Sequence, residues 1–141
     1  MSSRRDFVKR SCLTCMGLIS TGSLWSSCSS ALPVFRAVTK GNDIHIDRTE
    51  FSRSRDSMMI IRSQELENDI LLLKDEEGFR ALNMKCTHEG IPLTPTKDKL
   101  YCNAHGSVFD MKGRVLAEPA LKPLEQFETS VNEQLIVIHI N

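Results

Sequence analysis

Apolar residues along most of this chain come in short runs or in alternation with polar ones. No stretch after residue 33 sustains the 3.6-residue recurrence that an amphipathic helix requires. The runs predict strands over residues 43–47, 58–62, 70–74, 79–86, 99–102, 108–110, 114–116, 126–131 and 134–140. Turn-forming residues separate several of them: Asp75-Glu76-Glu77-Gly78, Met111-Lys112-Gly113 and Asn132-Glu133 each lie between two runs. The expected fold class is all-β, a set of antiparallel hairpins. Alternation in Ile44-His45-Ile46 sends His45 to a solvated face. The run Leu135-Ile136-Val137-Ile138-His139-Ile140 is apolar at nearly every position, which predicts cover on both faces, with His139 a packed or edge residue.

At 141 residues and 40% hydrophobic content, the chain suffices for one modest domain and is too short for a second with its own core. Eighteen basic and eighteen acidic residues balance, so nothing electrostatic argues for nucleic acid as a partner. The distribution is uneven. Arg4, Arg5, Lys9 and Arg10 against Asp6 give residues 1–28 a net of +3, leaving −3 for the rest. Cys12, Cys15 and Cys28 fall in that basic stretch, and the remaining cysteines, Cys86 and Cys102, stand in motifs of their own. No pair is left over for a structural disulfide. No nucleophile–base pair, phosphate loop or acid–base constellation stands out, and no independent catalytic site is expected.

The chemistry concentrates in two short segments, Cys86-Thr87-His88-Glu89-Gly90 and Cys102-Asn103-Ala104-His105-Gly106-Ser107. Each offers one thiolate and one imidazole. In an extended segment residues i and i+2 face the same way about 6.6 Å apart, so Cys86 and His88 reach one inorganic object together, and Cys102 and His105 approach it from a second loop. Four ligands of two chemistries suit a [2Fe–2S] cluster, with thiolates on one iron and imidazoles on the other. A zinc site is the competitor. Zinc signatures, however, usually place like ligands in short pairs, and two ligands at i and i+2 would strain to share one ion at about 2.0–2.3 Å.

At these residues the chain resembles the Rieske iron–sulfur proteins, whose pattern is Cys-x-His-x-Gly followed by Cys-x-x-His-Gly-Ser. The resemblance implies stacked antiparallel sheets with a cluster-binding subdomain of two loops. It also implies that Cys86, His88, Cys102 and His105 are the metal ligands, with Ser107 bonded to a cluster sulfur. Residues 118–124, Glu118-Pro119-Ala120-Leu121-Lys122-Pro123-Leu124, resemble the proline-containing loop that covers the cluster's third side in that family. There are departures. Residues 89–101 separate His88 from Cys102, a few fewer than usual. The cytochrome bc type has an extra, disulfide-linked Cys in each loop, where this chain has Ile91 and Ala104, and a Tyr where this chain has Phe109. Hydrogen bonds to sulfur stabilise the reduced cluster. Losing a donor at 109 while keeping Ser107 therefore implies a potential intermediate within the roughly −150 to +300 mV Rieske range.

Ser3-Arg4-Arg5-Asp6-Phe7-Val8-Lys9, followed by a weakly apolar stretch from Cys12 to Trp25, resembles a Tat (twin-arginine) export signal. Export of an already folded protein suits a cofactor inserted in the cytoplasm. The apolar stretch is shorter than the roughly twenty residues a spanning helix needs. Cys28, after Ser26-Ser27, partly resembles a lipoprotein cleavage site, although Trp25 stands where an aliphatic residue is preferred. Lipidation there would anchor the chain to a membrane. Cys12-Leu13-Thr14-Cys15 spells a redox CxxC, but its signal-like context argues against that role. The expected division is residues 1–33 as signal and spacer and 34–141 as the cluster domain. The expected function is an exported one-electron carrier between protein redox partners, on the periplasmic side of the inner membrane. The alternatives are a small subunit of a quinol-oxidising or molybdenum oxidoreductase, or a structural zinc module.

Overall fold

The computed structural model describes residues 32–54 and 57–140. In chain order these form β1 (Val34–Arg36), β2 (Thr39–Lys40), β3 (Asp43–Asp47), helix α1 (Arg48–Ser52), β4 (Met58–Arg62), β5 (Ile70–Asp75) and β6 (Gly78–Asn83). There follow β7 (Thr94–Pro95), β8 (Lys99–Tyr101), β9 (Val108–Asp110), β10 (Val115–Ala117), β11 (Gln126–Val131) and β12 (Leu135–His139). The strands make an eight-stranded sheet ordered β1-β4-β5-β6-β11-β12-β3-β2 and a four-stranded sheet ordered β10-β9-β8-β7. All nine expected strands are present, with ends moved by up to three residues. The largest change is at β6, which stops at Asn83 so that Met84 to Cys86 lead into a loop.

Strand β5 ties the two halves of the core together. Its Ile70 and Leu72 enter one apolar cluster with Ile44, Ile46, Ile61, Ala81, Ile136 and Ile138. Leu71 and Leu73 enter the other, with Leu82, Met84, Cys86, Leu100, Cys102 and Phe109. A continuous apolar run is what a strand covered on both faces requires. The expectation of two covered faces for residues 134–140 is corrected here. In β12, Ile136 and Ile138 are fully buried, but Leu135, Val137 and His139 are only half-buried on the opposite face. There they pair with Asp47, His45 and Asp43 of β3. His45 is exposed, as its alternation requires. His139 is in an interior strand of the sheet, flanked by β11 and β3.

Elements absent from the pattern reading are short. Two-residue β2 and β7 and three-residue β1 carry too little periodicity to register. Strand β1 also pairs in parallel with β4, the one departure from antiparallel pairing among the described residues. The five-residue α1 is set by its cap: Asp47 Oδ1 accepts from the Thr49 amide at 2.8 Å and from its hydroxyl at 2.7 Å. Its one buried residue, Phe51, packs edge-on against Phe79 with ring centroids 5.0 Å apart.

The small sheet is held to the large one through the β9–β10 turn. Gly113 O accepts from Leu124 N at 2.8 Å, Lys112 O accepts from Gln126 Nε2 at 2.9 Å, and Lys112 Nζ meets Glu77 Oε1 at 2.6 Å. Asp110 shapes that turn. Its Oδ1 accepts from the amides of Lys112 (2.9 Å) and Arg114 (2.8 Å), and its Oδ2 from Arg114 Nε (2.7 Å). Burial alone would raise the Asp110 carboxyl, but the Arg114 and Lys112 bonds outweigh it and hold its pKa below the ordinary aspartate value. A carboxyl depressed on folding adds stability that is fully present above its unfolded pKa of about 4. That stability is lost as pH falls through the lower folded value. Asp110→Asn is therefore expected to cost about 1–2 kcal/mol at pH 7, read as a lower urea midpoint of the holoprotein. The gap to the parent is expected to narrow below a pH of about 4.

Candidate metal centre

The two motif loops fold alike. In the first, Gly90 N donates to Cys86 O at 2.8 Å and Cys86 N donates to Ile91 O at 2.9 Å; in the second, Gly106 N donates to Cys102 O at 2.8 Å and Cys102 N to Ser107 O at 2.8 Å. The same bonds recur at the same offsets from each cysteine. Both depend on a glycine with left-handed backbone, φ 74° at Gly90 and 81° at Gly106, a conformation that costs a residue with a Cβ. Only the histidine offset differs, two residues beyond Cys86 and three beyond Cys102.

Each closed loop turns its cysteine inward and its histidine outward. Cys86 and Cys102 are each 1% exposed, lie in the same apolar cluster, and are free thiols. His88 and His105 are exposed and meet edge to face, with centroids 5.0 Å apart and planes at 83°. Ser107 is fully buried, and its Oγ accepts from Ala120 N at 3.0 Å, which leaves the hydroxyl proton free to be donated. From the first loop, Thr87 Oγ1 donates to Lys122 O at 2.6 Å. Residues 118–124 are thus pinned to both loops. Phe109 is fully buried in the cluster that holds both thiols.

The sequence reading did not single out Glu89. Its Oε2 lies 3.3 Å from His105 Nε2, and ligand atoms of His88, Glu89 and His105 fall within 4.8 Å of one another. The available signal was an acid between a histidine and the loop glycine. A second grouping is equally invisible in sequence: His139 Nδ1 meets Asp43 Oδ1 at 2.7 Å while its Nε2 meets Ser130 Oγ at 2.9 Å. These three residues sit on one face of three consecutive strands, and they cross-link β3, β12 and β11. Arg4, Arg5, Cys12, Cys15 and Cys28 lie outside the described residues. Among the described residues no helix is long and apolar enough to cross a membrane.

In this small β-protein, two buried thiols and two exposed imidazoles on matched loops form a donor set suited to a metal centre of mixed sulfur–nitrogen ligation. The donor chemistry fits a [2Fe–2S] group with unlike irons, the thiols facing the protein and the imidazoles facing water. The contact of Glu89 through Nε2 of His105 leaves Nδ1 of that ring for a metal. Comparison with known proteins agrees. Residues 48–128 match the Rieske [2Fe-2S] domain, and the chain belongs to that family; its cofactor is a [2Fe–2S] cluster.

Among curated relatives, the cytochrome b6-f complex iron-sulfur subunit of Nostoc punctiforme is 26% identical over 102 residues, covering 70% of this chain and 57% of that protein. Apoptosis-inducing factor 3 of Mus musculus is 32% identical over 73 residues, covering 49% of this chain and 12% of that protein. The chain thus spans a little over half the length of the cytochrome b6-f relative. The crystal structure of the cyanobacterial plasma membrane Rieske protein from Synechocystis PCC 6803 superposes with a TM-score of 0.54 at 21% identity, covering 66% of this chain and 97% of that one. That likeness establishes the fold.

Removing the Ser107 hydroxyl leaves the Ala120 N–H buried without its acceptor. Ser107→Ala is expected to cost about 1–3 kcal/mol. The check is a lower urea midpoint together with faster hydrogen exchange at the Ala120 amide, while exchange in β5 keeps pace with global stability.

Proposed function

We propose that Cys86 and Cys102 hold one iron of the cluster and His88 and His105 the other, and that this Rieske-type electron-transfer protein exchanges single electrons with protein partners at its histidine tip. The observation that carries the reading is the sorting of ligands by two identical loop closures, thiols inward at 1% exposure and imidazoles outward. When bound, a [2Fe–2S] cluster supplies a one-electron couple. The chain's part is to desolvate the thiol side, hold the imidazoles at the surface and close the third side. Leu93, Leu100, Phe109, Ala120 and Leu124 do the first. Bonds from Ala120 to Ser107 and from Thr87 to Lys122 do the last. Leu121, 81% exposed, and Ile91, 37% exposed, add apolar contact area on the same loops.

Export by a Tat-type route to the periplasmic side of the inner membrane is supported by Ser3-Arg4-Arg5-Asp6-Phe7-Val8-Lys9 and the apolar stretch after it. Ser26-Ser27-Cys28 supports a lipid anchor. In this reading residues 1–33 are signal and spacer and 34–141 the cluster domain. A relative described as a cytochrome b6-f subunit and a neighbour described as a plasma membrane protein support a membrane setting. The same subunit relative favours a second reading, a small Rieske subunit of a larger oxidoreductase.

The deciding experiment is anaerobic purification of the full chain from membrane and soluble exported fractions, with metal and sulfide analysis and EPR. Equal iron and acid-labile sulfide, with a reduced-state signal coupled to two imidazole nitrogens, is expected, and Cys86→Ser is expected to abolish both. A colourless protein holding one zinc overturns the reading, and a stoichiometric large partner in the membrane fraction selects the subunit role. Phe109→Tyr places a hydroxyl among the residues around both thiols and is expected to raise the reduction potential. Voltammetry showing an unchanged or lower value with an intact EPR signal would sink the donor argument.

A further inference from the structure

We infer that Glu89 is a positioning and tuning residue of the metal centre: its carboxylate, set by the first loop against the Nε2 edge of the second loop's His105, orients that imidazole and holds the reduction potential down. The inference rests on the ligand assignment proposed above. Its own evidence is geometric. Glu89 lies between His88 and Gly90, so the two bonds that close the first loop, Gly90 N to Cys86 O and Cys86 N to Ile91 O, fix where its backbone sits. From there Oε2 reaches across to His105 Nε2 at 3.3 Å, and among the described residues Glu89 pairs with no lysine or arginine. The nearby Lys85 is already engaged by both carboxylate oxygens of Glu67, at 3.0 and 2.9 Å. The negative charge on Glu89 therefore faces the metal centre without a cation between them.

The sign of the effect follows from charge. Reduction adds an electron to the site, and an anion beside the outer ligand disfavours the added charge, which lowers the potential. A carboxylate on the non-ligating nitrogen of a metal-bound histidine also makes that ring a stronger donor and fixes its orientation, which acts in the same direction. The 3.3 Å separation exceeds the roughly 2.7–2.9 Å of a charged hydrogen bond, so charge is the larger part of the effect. Side-chain exposures of 57% for Glu89 and 35% for His105 place the pair where dissolved ions screen it. The effect is expected to fade as salt rises.

The test uses full-length holoprotein, comparing the parent with Glu89→Gln, which keeps the shape and an acceptor but removes the charge, and Glu89→Leu, which removes both. Glu133→Gln, on the β11–β12 turn, controls for loss of one acidic charge anywhere on the molecule. Midpoint potentials are measured at neutral pH in low and high salt, with pulsed EPR of the imidazole nitrogens. The expected result is a higher potential for Glu89→Gln than for the parent or Glu133→Gln in low salt, a smaller gap in high salt, and two imidazole couplings retained. Glu89→Leu is expected to match or exceed the Gln shift. A purely structural role for Glu89 would not produce a salt-dependent gap. If Glu89→Gln shows the parent's couplings and the parent's potential, the inference falls while the ligand assignment stands. Absence of imidazole coupling in the parent overturns both.

Discussion

The hydrogen bond from a left-handed glycine back to a cysteine carbonyl, made once by Gly90 to Cys86 and again by Gly106 to Cys102, is the constraint on which the metal centre depends. Each bond folds its loop so that the cysteine faces the apolar interior and the histidine faces water. Burial shields metal–sulfur bonds from competing solvent, whereas imidazole edges at the surface are open to a partner. A loop that reversed either side chain would bury the wrong donor. Because both loops make the same closure, the two thiols enter one cluster of packed side chains and the two rings meet at one edge.

That arrangement has to be held without a covalent link. Where the cytochrome bc type joins its loops by a disulfide, this chain has exposed Ile91 and Ala104. Residues 118–124 provide the non-covalent connection, donating from Ala120 N to Ser107 in one loop and accepting at Lys122 O from Thr87 in the other. A buried hydrogen bond contributes net about 0.5–1.5 kcal/mol, less than a typical disulfide at about 2–4 kcal/mol. Cluster binding itself adds to folding stability.

The loops are also continuous with the rest of the molecule. Cys86, Cys102 and Phe109 share a cluster with Leu71, Leu73 and Leu82, whose strands β5 and β6 send Leu72 and Ala81 into the other cluster. Packing on both faces of one strand couples the metal tip to the large sheet, and the Asp110 turn with Lys112 and Gln126 adds polar anchorage at the rim. At the surface, Glu89 and His105 show that the outward-facing imidazoles are not simply bathed in solvent. The Glu89 carboxylate set by one loop lies 3.3 Å from the His105 ring supplied by the other.

Much of this was legible in the residues alone. Alternation and apolar runs determined nine strands, and the Cys-x-His-x-Gly and Cys-x-x-His-Gly-Ser spacings determined the metal motifs, because those chemistries are local and their periods short. Strands β1, β2 and β7 and the capped helix Arg48–Ser52 escaped, since so few residues with so mixed a pattern carry no clear period. Which strand is covered on both faces was decided only in three dimensions. The run 135–140 is as apolar as 70–74, but β12 turns Leu135 and Val137 toward the exposed residues of β3, whereas β5 lies between two clusters. The meeting of Glu89 with His105, of Ser107 with Ala120, and of Asp43, His139 and Ser130 likewise joins distant residues. Sequence determines what a segment can form by itself, but contacts between segments arise only when burial of the shared core sets their register.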